Sequence, residues 1–193
     1  AGLRVPPRLA SIQVVVLAIR DDPSVLAAVS RIAESLVDRG VRVKVDDRTE
    51  TSFGRRSTDW ELEGVPVRIE VGPRDLENGE VTFVGRATTE KNQARLVDLP
   101  VVVPGLLDLI QQSMLHEATR RRDERLVDVA TVDEAREAAQ TGFARIPWAT
   151  LGEDGEAALA EHAVTVRCLQ LPDGSVPPTE DAPGVLAVVA RAY

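Results

Sequence analysis

Residues 12–45 read IQVVVLAIRDDPSVLAAVSRIAESLVDRGVRVKV, and the succession of patterns within this stretch decides the fold. Ile12–Ile19 is a short, β-branched, apolar run, the signature of a strand buried on both faces. Asp21-Asp22-Pro23-Ser24 follows with capping side chains and a proline at a helix start. From Val25 to Arg39 the apolar residues Val25, Leu26, Val29, Ile32, Ala33, Leu36 and Val37 recur at helical spacing, and Gly40 supplies the stop. Val41, Val43 and Val45 then alternate with Arg42 and Lys44, as in a strand with one wetter face. A strand–helix–strand unit of this length favours a right-handed parallel crossover.

Working outward, Gly2–Pro7 is an extended entry, because its prolines oppose helix. Residues 53–63 suit a helix, Gly64-Val65-Pro66 breaks it, and Val67–Val71 is a strand with Arg68 and Glu70 on one face. Gly72-Pro73-Arg74-Asp75 reads as a turn, Leu76–Glu80 as a short polar link, and Val81–Val84 as a strand closing a hairpin across Asn78-Gly79. The expected architecture for residues 1–100 is α/β, a mixed sheet of about five strands with flanking helices. Residues 101–193 are expected to form a long helix and a small α+β domain. The long helix is placed at Leu106–Asp128, ending in the basic run Arg120-Arg121-Arg122. Thr131–Glu134 has the form of a capping box for a helix through Gln140. Strands are expected at Thr141–Trp148, Ala163–Gln170 and Gly184–Ala192, around a small acidic helix at Glu153–His162. The proline-rich Pro172–Pro183 is a loop.

The chain has 193 residues, of which 44% are hydrophobic and only 3% aromatic, so Val, Leu, Ile and Ala must build the core. That length can bury a core without disulfides or metal. No run of uninterrupted apolar residues approaches the ~18 of a membrane helix. Cys168 is the only cysteine, which excludes an internal disulfide and a multi-thiolate zinc site, and its strand pattern reads as a buried structural thiol. A cytoplasmic protein that binds neither membrane nor DNA is the expectation. The net charge is −8, of which residues 101–193 carry −7 and residues 1–100 only −1. Proteins that grip nucleic acid through its phosphates are usually basic. Any RNA binding must therefore be local, in the N-terminal half, and directed at bases.

Most catalytic signatures are missing. No glycine-rich phosphate loop follows a strand, and no Ser/His/Asp grouping can be argued. His116 and His162 lie far apart with no partner at metal-ligand spacing, and read as ordinary surface histidines. What stands out is polar density around the strands at 41–45, 67–71 and 81–84: Asp46, Asp47, Arg48, Arg55, Arg56, Asp59, Glu61, Glu63, Arg68, Glu70, Arg74, Asp75, Glu77, Arg86 and Lys91. Two readings stay open. One is a solvated face of paired charges, each worth about 0–1 kcal/mol. The other is base readout, in which a carboxylate accepts from guanine N1–H and N2–H while an arginine fork donates to O6 and N7. Sequence-specific RNA binding targets unstacked loop bases, where those edges are free.

The block Val43–Arg48, then Gly54-Arg55-Arg56, then Trp60–Leu76 (WELEGVPVRIEVGPRDL), resembles the anticodon-binding domain of class II aminoacyl-tRNA synthetases. The match is to prolyl-tRNA synthetase of the archaeal/eukaryote-like type. Gly2–Val14 resembles that family's entry into the domain, and Ala190-Arg191-Ala192-Tyr193 its terminal tyrosine motif. The resemblance covers essentially the whole chain. It implies that Glu61, Arg68, Arg74 and Asp75 read the second and third anticodon bases, both guanine in proline tRNAs. It places Lys91 on the RNA side, although the spacing to it is one residue longer than in the family. Arg74 stands where lysine is common, which keeps the charge but changes donor geometry.

The resemblance further implies a tRNA(Pro) partner, a homodimer for the intact enzyme, and ATP and Mg²⁺ for proline activation there. It implies no catalytic residue in this chain, whose class II motifs would belong to an upstream region. An excised C-terminal fragment is thus expected, the alternative being a freestanding synthetase-derived tRNA-binding or regulatory module. The family's C-terminal module often holds zinc through four cysteines, but the matching regions, Thr150–Glu156 and Asp173–Gly184, have none. Zinc is not expected, and Phe143, Ile146, Trp148, Val164, Val166, Val185 and Val188 are expected to pack that module instead.

Overall fold

The computed structural model describes residues 2–86 and 90–192. Tyr193, and with it the end of the tyrosine motif, lies outside the described residues. The chain divides into two units, Ala1–His116 and Glu117–Tyr193.

The first unit runs β1 (Val14–Ala18), α1 (Pro23–Val37), β2 (Val43–Asp46), α2 (Phe53–Glu63), β3 (Val67–Val71), α3 (Pro73–Asn78), β4 (Glu80–Gly85) and β5 (Lys91–Arg95). A short 3-10 turn at Leu96–Asp98 leads into α4 (Leu99–Asp123). The sheet is five-stranded in the order β2-β1-β3-β4-β5. β1 is parallel to β2 and β3, whereas β3–β4 and β4–β5 are antiparallel. The fold is therefore the mixed α/β sheet that residues 12–45 imply.

The strand β1 occupies the centre because every one of its residues is apolar and fully buried. Its two sides feed different cores. Val14, Val16 and Ala18 join Val67, Ile69, Val71 and Phe83 under α1 and the first turns of α4. Val15 and Leu17 join Trp60 and Val65 beneath α2, with Ile12 and Phe53 packed partly buried against them. Cross-strand partners share a face of a sheet, and Arg68 pairs with Val84, Glu70 with Thr82, Val84 with Lys91 and Thr82 with Gln93. These residues continue the α2 side across β3, β4 and β5.

Several elements differ from the sequence reading. Gly72–Asp75 is not a turn but the start of α3, with Gly72 as N-cap, Pro73 at the first helical position and Asp75 closing a capping interaction. The expected β3–β4 pairing forms, joined by a helix instead of a tight hairpin turn. The strand β5 (KNQAR) has no apolar run to mark it. The helix α4 begins at Leu99 rather than Leu106, with Pro100 in its first turn, where the proline's missing N–H costs nothing. Pro104 lies inside α4 and gives up one ladder bond. Leu99, Val103, Leu107 and Ile110 bury this first half in the first core. That is why the two units part within α4, after His116, and not at residue 100.

In the second unit α4 ends at Asp123, and β6 (Leu126–Asp128) takes residues that the long helix was expected to hold. There follow α5 (Val132–Ala138), β7 (Phe143–Pro147), α6 (Trp148–Ala160), β8 (Val164–Gln170) and β9 (Leu186–Arg191). The four strands order as β6-β7-β9-β8, with β6 parallel to β7 and the other pairs antiparallel. The Thr131 hydroxyl accepts from Glu134 N–H, and Glu134 accepts in return from Thr131 N–H, the reciprocal box expected from the sequence.

The core of this unit is Ala135, Ala139, Ala144, Ile146, Leu151, Leu159, Val164, Ala187 and Val189, with Trp148 and Val166 partly buried against it. Phe143 does not join it and is 37% exposed. Strand alternation puts Ala144 and Ile146 inward and turns Phe143 outward. Val188 falls on the same outer side of β9. Cys168 is exposed, not buried: the β8–β9 register shifts between Val166 and Cys168, and this interrupts the alternation that the sequence suggests.

Candidate nucleic-acid interface

The α2 side of the first sheet is built by a buried polar cluster at its covered end and an ion-pair chain at its open end. At the covered end Arg56 is fully buried. Its guanidinium donates to three carbonyls: Ala18 at the end of β1 (2.9 Å), Asp46 at the end of β2 (3.2 Å) and Thr51 before α2 (3.0 Å). Asp46 accepts from Trp60 Nε1 at 2.6 Å and from Arg48 Nη2 at 2.7 Å, and Arg48 stacks 5.9 Å from the Trp60 ring centre. Burial alone would raise the Asp46 carboxyl. The hydrogen bonds from Arg48 and Trp60, with the Arg48 charge, outweigh it and hold the group at about 2. Part of the polar density in the sequence is therefore interior structure that anchors α2, and with it the last-turn residue Glu61, to the sheet.

At the open end, Arg68 Nη1 donates to Glu61 Oε1 at 2.9 Å and Arg68 Nε to Glu70 Oε1 at 3.0 Å. Lys91 Nζ donates to Glu70 Oε2 at 3.1 Å. The structure thus joins Glu61, Arg68 and Lys91 through Glu70 into one chain of alternating charge. A small pocket beside it is lined by Trp60, Val65, Val84, Gly85 and Arg86 together with Glu61 and Arg68. Arg74 and Asp75 do not bond to this chain among the described residues. They follow it on α3, three and four residues past the end of β3. Asp75 Oδ2 accepts from Gly72 N–H at 2.9 Å, and Arg74 is exposed.

Sequence reasoning found these residues but missed two things. Glu70 pairs with its strand neighbour Arg68 as the strand pattern suggests, but it also pairs with Lys91 from β5, which the sequence does not show. The Asp75 cap was missed, although Gly-Pro-Arg-Asp carries its signal: proline at the first helical position and an acid two residues on. Among the described residues no group of three or more His, Cys, Asp or Glu side chains is placed to hold a metal.

The first unit is thus a mixed sheet flanked by α1, α2 and α4, with the Glu61–Arg68–Glu70–Lys91 chain of charges on the side against which α2 packs. Residues 13–105 match the family model of the anticodon-binding domain. The chain corresponds to the anticodon-binding part of proline–tRNA ligases. It is 58% identical over its full length to proline–tRNA ligase 2 of Streptomyces avermitilis, covering 41% of that protein. Against the proline–tRNA ligase of Frankia alni it is 54% identical with the same coverage. Among solved structures it resembles prolyl-tRNA synthetase from Cryptosporidium parvum complexed with L-proline and AMP, with a TM-score of 0.81 and 27% identity over all of this chain and 43% of that one. The chain spans about 41% of the length of these curated relatives.

Proposed function

We propose that this chain recognises the anticodon of tRNA(Pro) on behalf of a proline–tRNA ligase, reading the second and third anticodon guanines through Glu61, Arg68, Arg74, Asp75 and Lys91. The observation that carries the reading is the state of Arg68. Its Nε and Nη1 are held by carboxylates, while Nη2 has no hydrogen-bond partner among the described residues. The fork is oriented and still holds donors for guanine O6 and N7. Glu61 and the second oxygen of Asp75 are acceptors for guanine N1–H and N2–H. Arg74 and Lys91, both exposed, supply phosphate or base-edge contacts.

This part forms no bond. It contributes selectivity, about 1–3 kcal/mol per well-formed bidentate base contact. The intact ligase would activate proline with ATP and Mg²⁺ and esterify it to the tRNA, as a cytoplasmic homodimer. Leu99, Val103, Leu107 and Ile110 pack the first half of α4 into the first core, which supports reading it as a core helix.

Glu61→Ala and Asp75→Ala are expected to weaken binding of a proline anticodon stem-loop by about tenfold or more while binding of loops with other anticodons changes little. Fluorescence anisotropy on the two RNA sets measures this. Unchanged proportions in both variants would refute base readout by these residues.

A further inference from the structure

We infer that Glu70 is a positioning residue for anticodon discrimination: it fixes Arg68 and Lys91 from beneath, so that Glu61 is the exchangeable arm when a base arrives. The inference rests on the reading proposed above. Glu70 leaves only 3% of its surface exposed and spends one carboxylate oxygen on each cation. It therefore has no face for RNA. Glu61 differs in both respects. Its side chain is 44% exposed, and its ion-pair contact among the described residues is to Arg68 Nη1.

Geometry assigns the roles. Glu70 sits on β3 beside Arg68, and Lys91 comes from β5, two strands away in the sheet. A single buried carboxylate thus ties the outermost strand's cation to the central arginine across β4. Arg68 is 11% exposed and enters the interface already oriented, which spares the ordering of a long, rotamer-rich side chain on binding. When guanine offers N1–H and N2–H, Glu61 can turn to accept them. The Arg68 charge stays compensated by Glu70 throughout, so no buried cation is left unpaired. Adenine has no matching donor pair, so Glu61 gains nothing by leaving Arg68. Preference for guanine then depends on Arg68 staying where Glu70 holds it.

The test uses the 193-residue chain and two anticodon stem-loops, one with the proline anticodon and one with adenine at its third position. Glu70→Gln keeps the shape but removes the charge that binds both cations. Glu70→Asp keeps the charge and is one methylene too short to reach both. Glu70→Gln is expected to lower the guanine-to-adenine affinity ratio about tenfold, and Glu70→Asp to lower it by less. In the free chain, the Arg68 Nε–H signal in ¹⁵N NMR is expected to exchange slowly with solvent and to lose that protection in both variants. Should Glu70→Gln fail to fold, Glu70→Asp and its Arg68 signal decide alone. A ratio unchanged in the folded variants, while Arg68→Ala lowers it, would overturn the role of Glu70 and leave the proposed function standing. An unchanged ratio in Arg68→Ala would remove both.

Discussion

At the scale of single residues, the covered end of the first sheet depends on an acid that most soluble domains would keep in water. Asp46 is 2% exposed and is accommodated because Arg48, Trp60 and Arg56 all point donors at it. Its pKa of about 2 in the folded chain lies below the ordinary 3.8 of an unfolded aspartate. Because the folded value is the lower one, the unfolded chain takes up the proton first as pH falls. The stabilisation is thus fully present above about pH 4 and is lost as pH drops toward 2, an effect of about 2 kcal/mol. Urea unfolding followed from pH 7 to pH 2 is expected to show this loss, and Asp46→Asn to flatten that part of the profile. A variant as acid-sensitive as the parent would assign the loss to other carboxylates, such as Asp22, which the Ser24 hydroxyl and the Ser24 and Val25 N–H groups hold low.

At the scale of elements, the placement of α2 is decided at its two ends. Ser52 caps the start by accepting from Arg55 N–H, and Gly64 ends it in the left-handed region with φ +77°. A methyl group on Gly64 would also stand 2.9 Å from the Leu3 carbonyl oxygen. Gly64→Ala is therefore expected to cost about 1–3 kcal/mol in chemical denaturation, through strain at a positive φ together with a backbone clash. It should also weaken RNA binding, because the last turn of α2 carries Glu61. A stability within about 0.5 kcal/mol of the parent would contradict both contributions, since movement of the Gly2–Leu3 arm could relieve the clash but not the strain at φ +77°.

At the scale of the whole molecule, the two units use different means to the same end. The first buries a branched aliphatic core between a sheet and two helices. The second is smaller and relies on Ala, Ile, Leu and Val packed against one face of its sheet. Its counterpart regions lack the zinc cysteines, and Cys168 stands exposed on β8. We propose that it folds without a structural metal. Elemental analysis of protein purified without chelator is expected to show far less than one zinc per chain, with thermal unfolding indifferent to EDTA. One equivalent of tightly held zinc would contradict this.

The sequence by itself determined the central strand, the α1 crossover, the extent of α2 and the capping box at Thr131, because each is written in local periodicity or in a cap of a few residues. It also presented Glu61, Arg68, Arg74 and Asp75 as a set, through the block WELEGVPVRIEVGPRDL and what it resembles, with Lys91 added by the resemblance alone. Strand β5 stayed illegible because KNQAR has no hydrophobic signal and is a strand only by pairing with β4. The outward turn of Phe143 and Cys168 followed from register, which a single chain segment does not reveal. Only the tertiary structure separated the polar residues by role, sending Asp46 and Arg56 inside while leaving Arg68 at the rim. Burial and ion pairing join side chains far apart in sequence, such as Glu70 and Lys91, so no local pattern records them.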